Sequence, residues 1–328
     1  MACLSSPPAL ADYTTREDVR LFIDEIATRN HLDPAPIRVA LARARFDPRV
    51  IRLIQPSTAP VARSWERYRS QFLDPGHLDG GLEFWTRYAP ILQRAQTRYG
   101  VPAEIIIAII GVETSYGRNT GKFETLSSLA TLAFDYPPRA ELFRAELEAL
   151  FLLAREQGKN PADYSGSYAG ALGYPQFLPS SLRKYAVDFD DDGKIDFDTH
   201  ADDAIGSVAN YLHEYGWQSG AHIAIPATLG TNTDPAPLTA AGILPTLTPA
   251  QLEASNIAPR SGPYPAALAT LIDLETPAKE TEYWLGYNNF YVITRYNRSS
   301  FYAMAVFSLA QALRQRHDAA QVINPAAK

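Results

Sequence analysis

Between residues 15 and 100, apolar positions recur at three- and four-residue steps, and helix-start residues mark the breaks: Thr15 followed by Asp18, Asp33-Pro34 and Asp47-Pro48. This spacing predicts a run of amphipathic helices, and the stretch Trp65 to Phe72 reads first as helix packing within it. The pattern changes at Val101-Pro102-Ala103-Glu104-Ile105-Ile106-Ile107-Ala108-Ile109-Ile110. Proline and an early glutamate mark a first helical turn, and apolar residues on every face predict a buried helix. A further helical region follows from Phe123 to Gly158, with Leu142, Phe143, Leu147, Leu150 and Phe151 as its core stripe and Asp135-Tyr136-Pro137-Pro138-Arg139 interrupting it. From Ile223 to about Thr281 short β-prone pieces alternate with Pro and Gly, which predicts a small antiparallel β subdomain before a last helix from about Ser300 to Arg316. The fold class read from these patterns is mainly α, of α+β type.

One carboxylate stands out against this pattern. Glu113 ends the all-apolar helix and precedes the small-residue turn Thr114-Ser115-Tyr116-Gly117. It shares a helix face with Ile106, Ile109 and Ile110, so its carboxyl is expected against hydrocarbon with a raised pKa. A glutamate held protonated near neutral pH can give a proton to a leaving group. The competing reading is an exposed helix-end glutamate or a salt-bridge partner. A second cluster, running from Gly166-Ser167-Tyr168-Ala169-Gly170-Ala171-Leu172-Gly173 through Gln176-Phe177 to Pro179-Ser180-Ser181, supplies the polar and aromatic groups expected of a cleft wall.

Together these segments resemble the lysozyme-like lytic transglycosylases of bacterial cell-wall turnover, and specifically the membrane-bound lytic murein transglycosylase B family. Gly111 to Arg118 resembles the family's catalytic segment, Tyr168 to Ser181 its substrate-cleft segment, and Asn289-Phe290-Tyr291-Val292-Ile293-Thr294-Arg295-Tyr296-Asn297 a third, in the family's order. The resemblance runs from about residue 15 to residue 315. It implies a lysozyme-like core with an N-terminal helical subdomain, a calcium loop of EF-hand type and the small β subdomain. The boundaries expected are a tether at 1–14, a helical subdomain at 15–90, a catalytic core at 91–220 that includes the calcium loop 188–203, the β subdomain at 221–281, a return to the core at 282–316 and a tail at 317–328.

Composition changes the picture mainly by exclusion. A chain of 328 residues that is 46% hydrophobic can bury a large core in two or three subdomains. A net charge of −6 without a lysine or arginine run argues against nucleic acid as a partner. No apolar run reaches the roughly 20 residues needed to cross a bilayer. Cys3 is the only cysteine, so no internal disulfide forms. Ala2-Cys3-Leu4-Ser5-Ser6-Pro7-Pro8 looks like the start of a mature bacterial lipoprotein; the alternative is an incidental cysteine at a frayed terminus. The resemblance implies a monomer in the periplasm, anchored to the inner face of the outer membrane if Cys3 is lipidated. Its expected partners are peptidoglycan strands and cell-wall synthases.

Asp188-Phe189-Asp190-Asp191-Asp192-Gly193-Lys194-Ile195-Asp196 reproduces the first nine positions of an EF-hand loop: oxygen ligands at one, three and five, glycine at the sharp turn and an aliphatic residue at eight. Asp188, Asp190, Asp192 and the Lys194 carbonyl suit a hard cation, Ca2+. Position twelve is Thr199 in place of the usual glutamate, so a later acid must close the site. The resemblance implies Asp203 ahead of the next helix, with Asp202 as the rival. A metal-free aspartate turn is the bland alternative.

The remaining candidates follow from the resemblance. Tyr68, Tyr211, Tyr296, Asn297 and Tyr302 are expected as glycan contacts, with Ser167 and Gln176 positioning acetamido and hydroxyl groups. Trp284 and Phe290 read as core. Arg139 is expected to touch sugar or peptide, alone, because Pro138 replaces a second basic residue carried by relatives. Pro175 stands where relatives often have glycine. Glycosidases normally use two carboxylates, and no companion to Glu113 is evident. The resemblance resolves this through the substrate: the muramic acid C6 hydroxyl attacks C1 and gives a 1,6-anhydro end, with Glu113 first as acid, then as base. The rivals are a hydrolytic muramidase recruiting Asp135, and a non-catalytic calcium-dependent scaffold that binds peptidoglycan. No organic cofactor is expected.

Overall fold

The computed structural model describes residues 12–56 and 62–323. Cys3, most of the expected tether and the last residues of the expected tail lie outside them. The described residues fall into two compact units that alternate along the chain, the first within 1–58, 119–186 and 197–199, the second within 59–118, 187–196 and 200–328.

The first unit opens with α1 (Glu17–Asn30), α2 (Pro34–Arg43) and α3 (Pro48–Ile54). Asp33 and Asp47 cap α2 and α3 as the sequence predicts, accepting from the backbone N–H groups of Ala35 and Arg49. Thr15 does not open α1. It closes a 3-10 turn capped by Asp12, and α1 follows directly after Arg16. The second unit then supplies α4 (Trp65–Ser70), α5 (Pro75–Arg87), α6 (Ala89–Tyr99) and α7 (Ala103–Thr114). Ile105 to Ile110 are all at most 2% exposed, as a helix apolar on every face requires. Burying its five isoleucines is worth on the order of 10 kcal/mol, so packing, not the weak helix propensity of β-branched residues, holds α7 in place.

Returning to the first unit, the chain forms β1 (Phe123–Glu124), α8 (Thr125–Asp135), α9 (Ala140–Gln157), β2 (Ser165–Gly166) and α10 (Pro179–Tyr185). Phe143, Leu147, Leu150 and Phe151 of α9 are buried, but Leu142 is 40% exposed. One residue before Phe143 it points about a quarter-turn away from the stripe, which corrects its placement in the core.

The second unit resumes with α11 (Asp202–Glu214), β3 (Ala224–Leu229), α12 (Ala236–Ala240), α13 (Pro249–Ala254), β4 (Ile257–Pro259), β5 (Thr270–Leu274), β6 (Glu282–Gly286), α14 (Asn288–Ile293) and α15 (Ser300–Ile323). The predicted β region is a four-stranded antiparallel sheet in the order β4-β3-β6-β5. Pro226 sits in the inner strand β3 just beyond its pairing with β4, where a missing N–H breaks no ladder bond on that side. The last helix extends past the expected Arg316 to Ile323. Phe290 is fully buried as expected, whereas Trp284 is half-buried and meets Phe307 edge-on.

Candidate active site

The turn after Glu113 is sharp because three consecutive residues, Ser115, Tyr116 and Gly117, take positive φ of 49°, 64° and 83°. The Ser115 and Tyr116 N–H groups donate back to the carbonyls of Gly111 and Ile110, closing the end of α7. Tyr116 then folds under the helix end and donates to the His77 carbonyl at 2.8 Å. Glycines make room for its ring: a Cβ on Gly111 would lie 2.7 Å from the Tyr116 hydroxyl, and one on Gly81 would lie 2.6 Å from it. His77 lies 3.3 Å from the Ser115 hydroxyl through Nε2, and Asp74 bonds its Nδ1. The residues around Glu113 are thereby held from α5 as well as from α7.

Burial pushes Glu113 up to about 7, against an opposing hydrogen bond from Tyr302 that favours the carboxylate. Its position on the last turn of α7, at the negative end of the helix dipole, acts in the same direction as burial. The expected hydrocarbon setting is in fact aromatic. Tyr302 donates to Glu113 Oε1 at 2.6 Å. Its ring stacks on Tyr296 at 6.4 Å and 15°, Tyr296 meets Tyr211 at 4.9 Å, and the Tyr211 hydroxyl donates to the Arg295 carbonyl at 2.7 Å. Burial raises Tyr296 and Tyr302 well above the ordinary phenol range, with the Glu113 charge acting the same way. Tyr68 is raised by the same two causes. Four of the expected glycan contacts, Tyr68, Tyr211, Tyr296 and Tyr302, thus form one aromatic shelf at the carboxyl. Asn297 follows on an exposed turn.

The other candidates lie in the first unit. The Ser167 hydroxyl accepts from the N–H groups of Ala169 and Ala171 at 3.3 and 3.0 Å, which folds the Ser-Tyr-Ala-Gly-Ala turn. Gln176, at φ 50°, donates its side-chain nitrogen to the carbonyls of Thr120 and Gly173 at 3.0 and 2.9 Å. These bonds fix the direction of its amide. Arg139 is exposed, with its guanidinium 5.2 Å from the Phe143 ring centre. Asp135, the acid a hydrolytic mechanism would recruit, pairs with Arg16 at 2.6 Å and accepts from Tyr13 at 2.7 Å.

In the aspartate loop, carboxylate oxygens of Asp188, Asp190 and Asp203 come within 4.8 Å of one another. Asp203 is only 3% exposed. Burial raises its pKa, and the backbone N–H groups of Asp196 and Phe189, at 2.8 and 2.6 Å, oppose that rise. Asp202 is not in the cluster. Asp192 lies outside it too: its Oδ1 accepts from the Lys194 N–H at 2.8 Å, while its own N–H donates to Asp188 and Asp190. Gly193, at φ 87°, takes the sharp turn, and its N–H donates to Asp188 at 2.8 Å. Three convergent carboxylates, one of them buried, repel one another unless a cation sits among them, so the donor set fits a hard divalent ion.

A family model described as a transglycosylase SLT domain matches residues 14–311. The chain belongs to the transglycosylase SLT family. It is 40% identical to the membrane-bound lytic murein transglycosylase B of Escherichia coli K12, over 92% of this chain and 84% of that protein. The E. coli lytic transglycosylase Slt35 solved in complex with calcium is similar at a TM-score of 0.83 and 40% identity, over 93% of this chain and 95% of that one. SltB3 from Pseudomonas aeruginosa in complex with NAG-anhNAM-pentapeptide is similar at a TM-score of 0.79 and 31% identity, over 91% of this chain and 79% of that one. The enzyme is a peptidoglycan lytic transglycosylase with a lysozyme-like fold.

Two features of this lytic transglycosylase escaped the sequence reading. Asp74 and His77 behind Ser115 lie 38 residues or more from it in the chain, with no motif to join them. Glu146 is 5% exposed in α9 and accepts from both the N–H and the hydroxyl of Ser180 at 3.0 and 2.6 Å, tying down the start of α10. Its signal in the sequence was slight: a glutamate on the stripe side of an amphipathic helix.

Proposed function

We propose that Glu113 alone carries acid and base chemistry in cleavage of the β-1,4 bond between N-acetylmuramic acid and N-acetylglucosamine. The observation that supports this most is a carboxyl pushed up to about 7 by burial, with phenols as its polar neighbours. In that state Glu113 gives its proton to the glycosidic oxygen as the C1–O bond breaks. The resulting carboxylate takes the proton of the muramic acid C6 hydroxyl as its oxygen bonds to C1, closing the 1,6-anhydro ring without water. The proton count balances, and Glu113 returns protonated. Tyr302 orients the carboxyl throughout. Tyr68, Tyr211, Tyr296 and Asn297 contact the glycan, and Ser167, Gln176 and Arg139 are its further proposed contacts. The ion pair of Asp135 with Arg16 speaks against its use as a second acid. The anhydro sugar held in the SltB3 complex supports the same product class.

Calcium is assigned to the aspartate loop as a structural ion held by the convergent Asp188, Asp190 and Asp203, with Asp192 and the Lys194 carbonyl as the further ligands that the loop spacing offers, and the calcium complex of Slt35 supports a calcium site. The protein acts as a monomer in the periplasm on peptidoglycan strands, alongside cell-wall synthases. Cys3 is its lipid anchor, in keeping with the membrane-bound relative. No helix among the described residues is long and apolar enough to cross a membrane.

The test is digestion of purified sacculi by the wild type and by Glu113→Gln, with muropeptides resolved by mass. Products lighter by one water than hydrolytic ones, and absent with the variant, are expected. Hydrated reducing ends would make the enzyme a muramidase, and no digestion by folded wild-type protein would leave a binding scaffold.

A further inference from the structure

A second concave site lies in the second unit, at the edge of the β sheet. It encloses about 530 Å³, within the range of small-ligand pockets, and Tyr287, Tyr291, His222 and Asn288 line it. Leu244 and Leu268 stand on its walls although they are 53% and 49% exposed, among the few large apolar side chains so open to solvent. Tyr287 is only 3% exposed and its ring packs into the sheet core, yet its hydroxyl has no hydrogen-bond partner among the described residues. The ring is buried while the hydroxyl stays open to solvent, so that hydroxyl is available to bond a ligand in the cavity. Asn288 donates its amide nitrogen to the Gly216 carbonyl at 2.7 Å, which fixes the direction of the side chain. Apolar rings and walls beside oriented amide and hydroxyl groups are the chemistry that recognises a pyranose carrying an N-acetyl group.

Arg295 links this pocket to the aromatic shelf. Arg295 donates to the Tyr291 hydroxyl at 3.3 Å and lies 5.4 Å from that ring centre, while its carbonyl accepts from Tyr211. We propose that the cavity is an accessory saccharide subsite, taking an N-acetylated pyranose of the strand that the enzyme cleaves. The choice of ligand rests on the proposed function; the existence of the site rests on the cavity and the rings, amide and imidazole that line it.

The probe is the N-acetylglucosamine trimer, which lacks the bond between muramic acid and N-acetylglucosamine that the enzyme is proposed to cleave. Titrated into the full-length wild type and followed by backbone amide NMR, it is expected to shift His222, Leu268, Asn288 and Tyr291 in a saturable way. Ala266→Trp, an exposed position on the rim, fills the cavity and should weaken that response by about tenfold or more. Leu268→Lys serves as a second blocking variant. The proposal is overturned if the trimer shifts only residues around Glu113, or if the pocket response survives both substitutions. Sacculus digestion is scored separately. Anhydro products without a pocket response overturn the subsite alone, and a pocket response without anhydro products overturns the Glu113 reading alone.

Discussion

The Tyr302 hydroxyl donates to Glu113 Oε1 at 2.6 Å, while burial of the same carboxyl pushes it up to about 7. The two influences oppose each other: the hydrogen bond favours the carboxylate, and burial favours the acid. Their balance leaves Glu113 able to release a proton and take one back at neutral pH.

Tyr302→Phe removes the donor and leaves burial in place, so Glu113 should titrate at a still higher pH. Acid catalysis is lost as pH rises through the Glu113 pKa, so the alkaline fall in muropeptide release should move to higher pH in the variant. The maximal rate should drop about tenfold, because the carboxyl loses the bond that aims it. A pH profile of product release checks both effects. An unchanged alkaline limb would remove Tyr302 from control of the titration.

Glu113→Gln should lower cleavage at least about a hundredfold, the lower end of what a positioned acid contributes. It should also change stability in a pH-dependent way. The folded state holds the proton more tightly than the unfolded chain, so the wild type loses stability as pH rises from about 4.5 to about 7 and is then level. Glutamine has no such loss. Above pH 7 the variant should therefore gain up to about 3 kcal/mol relative to the wild type, a gap that closes below pH 4.5. Urea unfolding at several pH values measures the gap.

Much of this site was legible because its elements announce themselves locally. The buried helix α7 follows from isoleucines on every face, and the loop from Asp188 to Asp196 follows from alternating oxygens and a glycine. The aromatic shelf is different. Tyr68, Tyr211 and the pair Tyr296 and Tyr302 come from three separate stretches, and periodicity does not state that they meet. Only the resemblance to a known family placed them near Glu113. The tie of Glu146 to Ser180 and the His77 support of Ser115 had neither motif nor resemblance, since each is a single long-range hydrogen-bonded contact. Leu142 was misplaced for a simpler reason: a helical stripe has an edge, and one residue crosses it.

Calcium in excess should raise the unfolding temperature, and a concentration a hundred times the dissociation constant should add about 2.7 kcal/mol to stability. Asp190→Asn, at an exposed position, should weaken the calcium response while leaving the metal-free protein nearly as stable as the wild type. Asp203→Asn should destabilise the protein even without metal, because one of its oxygens accepts from Asp196 and the other from Phe189. Thermal scans with calcium and with a chelator separate the two. Equal responses in both variants would argue against the division into an exposed ligand and a buried one.

Glu146→Ala should cost about 2 kcal/mol, because it leaves the Ser180 N–H and hydroxyl without their shared acceptor at the first turn of α10. Glu146→Gln keeps one carbonyl oxygen as an acceptor and should cost less. Ser180→Ala removes only the 2.6 Å hydroxyl bond and leaves the backbone one, so its loss should be smaller than that of Glu146→Ala. The double substitution should then cost less than the sum of the single ones, since both remove the same bond. A double-mutant cycle by urea unfolding tests this. Strict additivity would show that Glu146 acts on stability independently of Ser180, through packing in α9 alone.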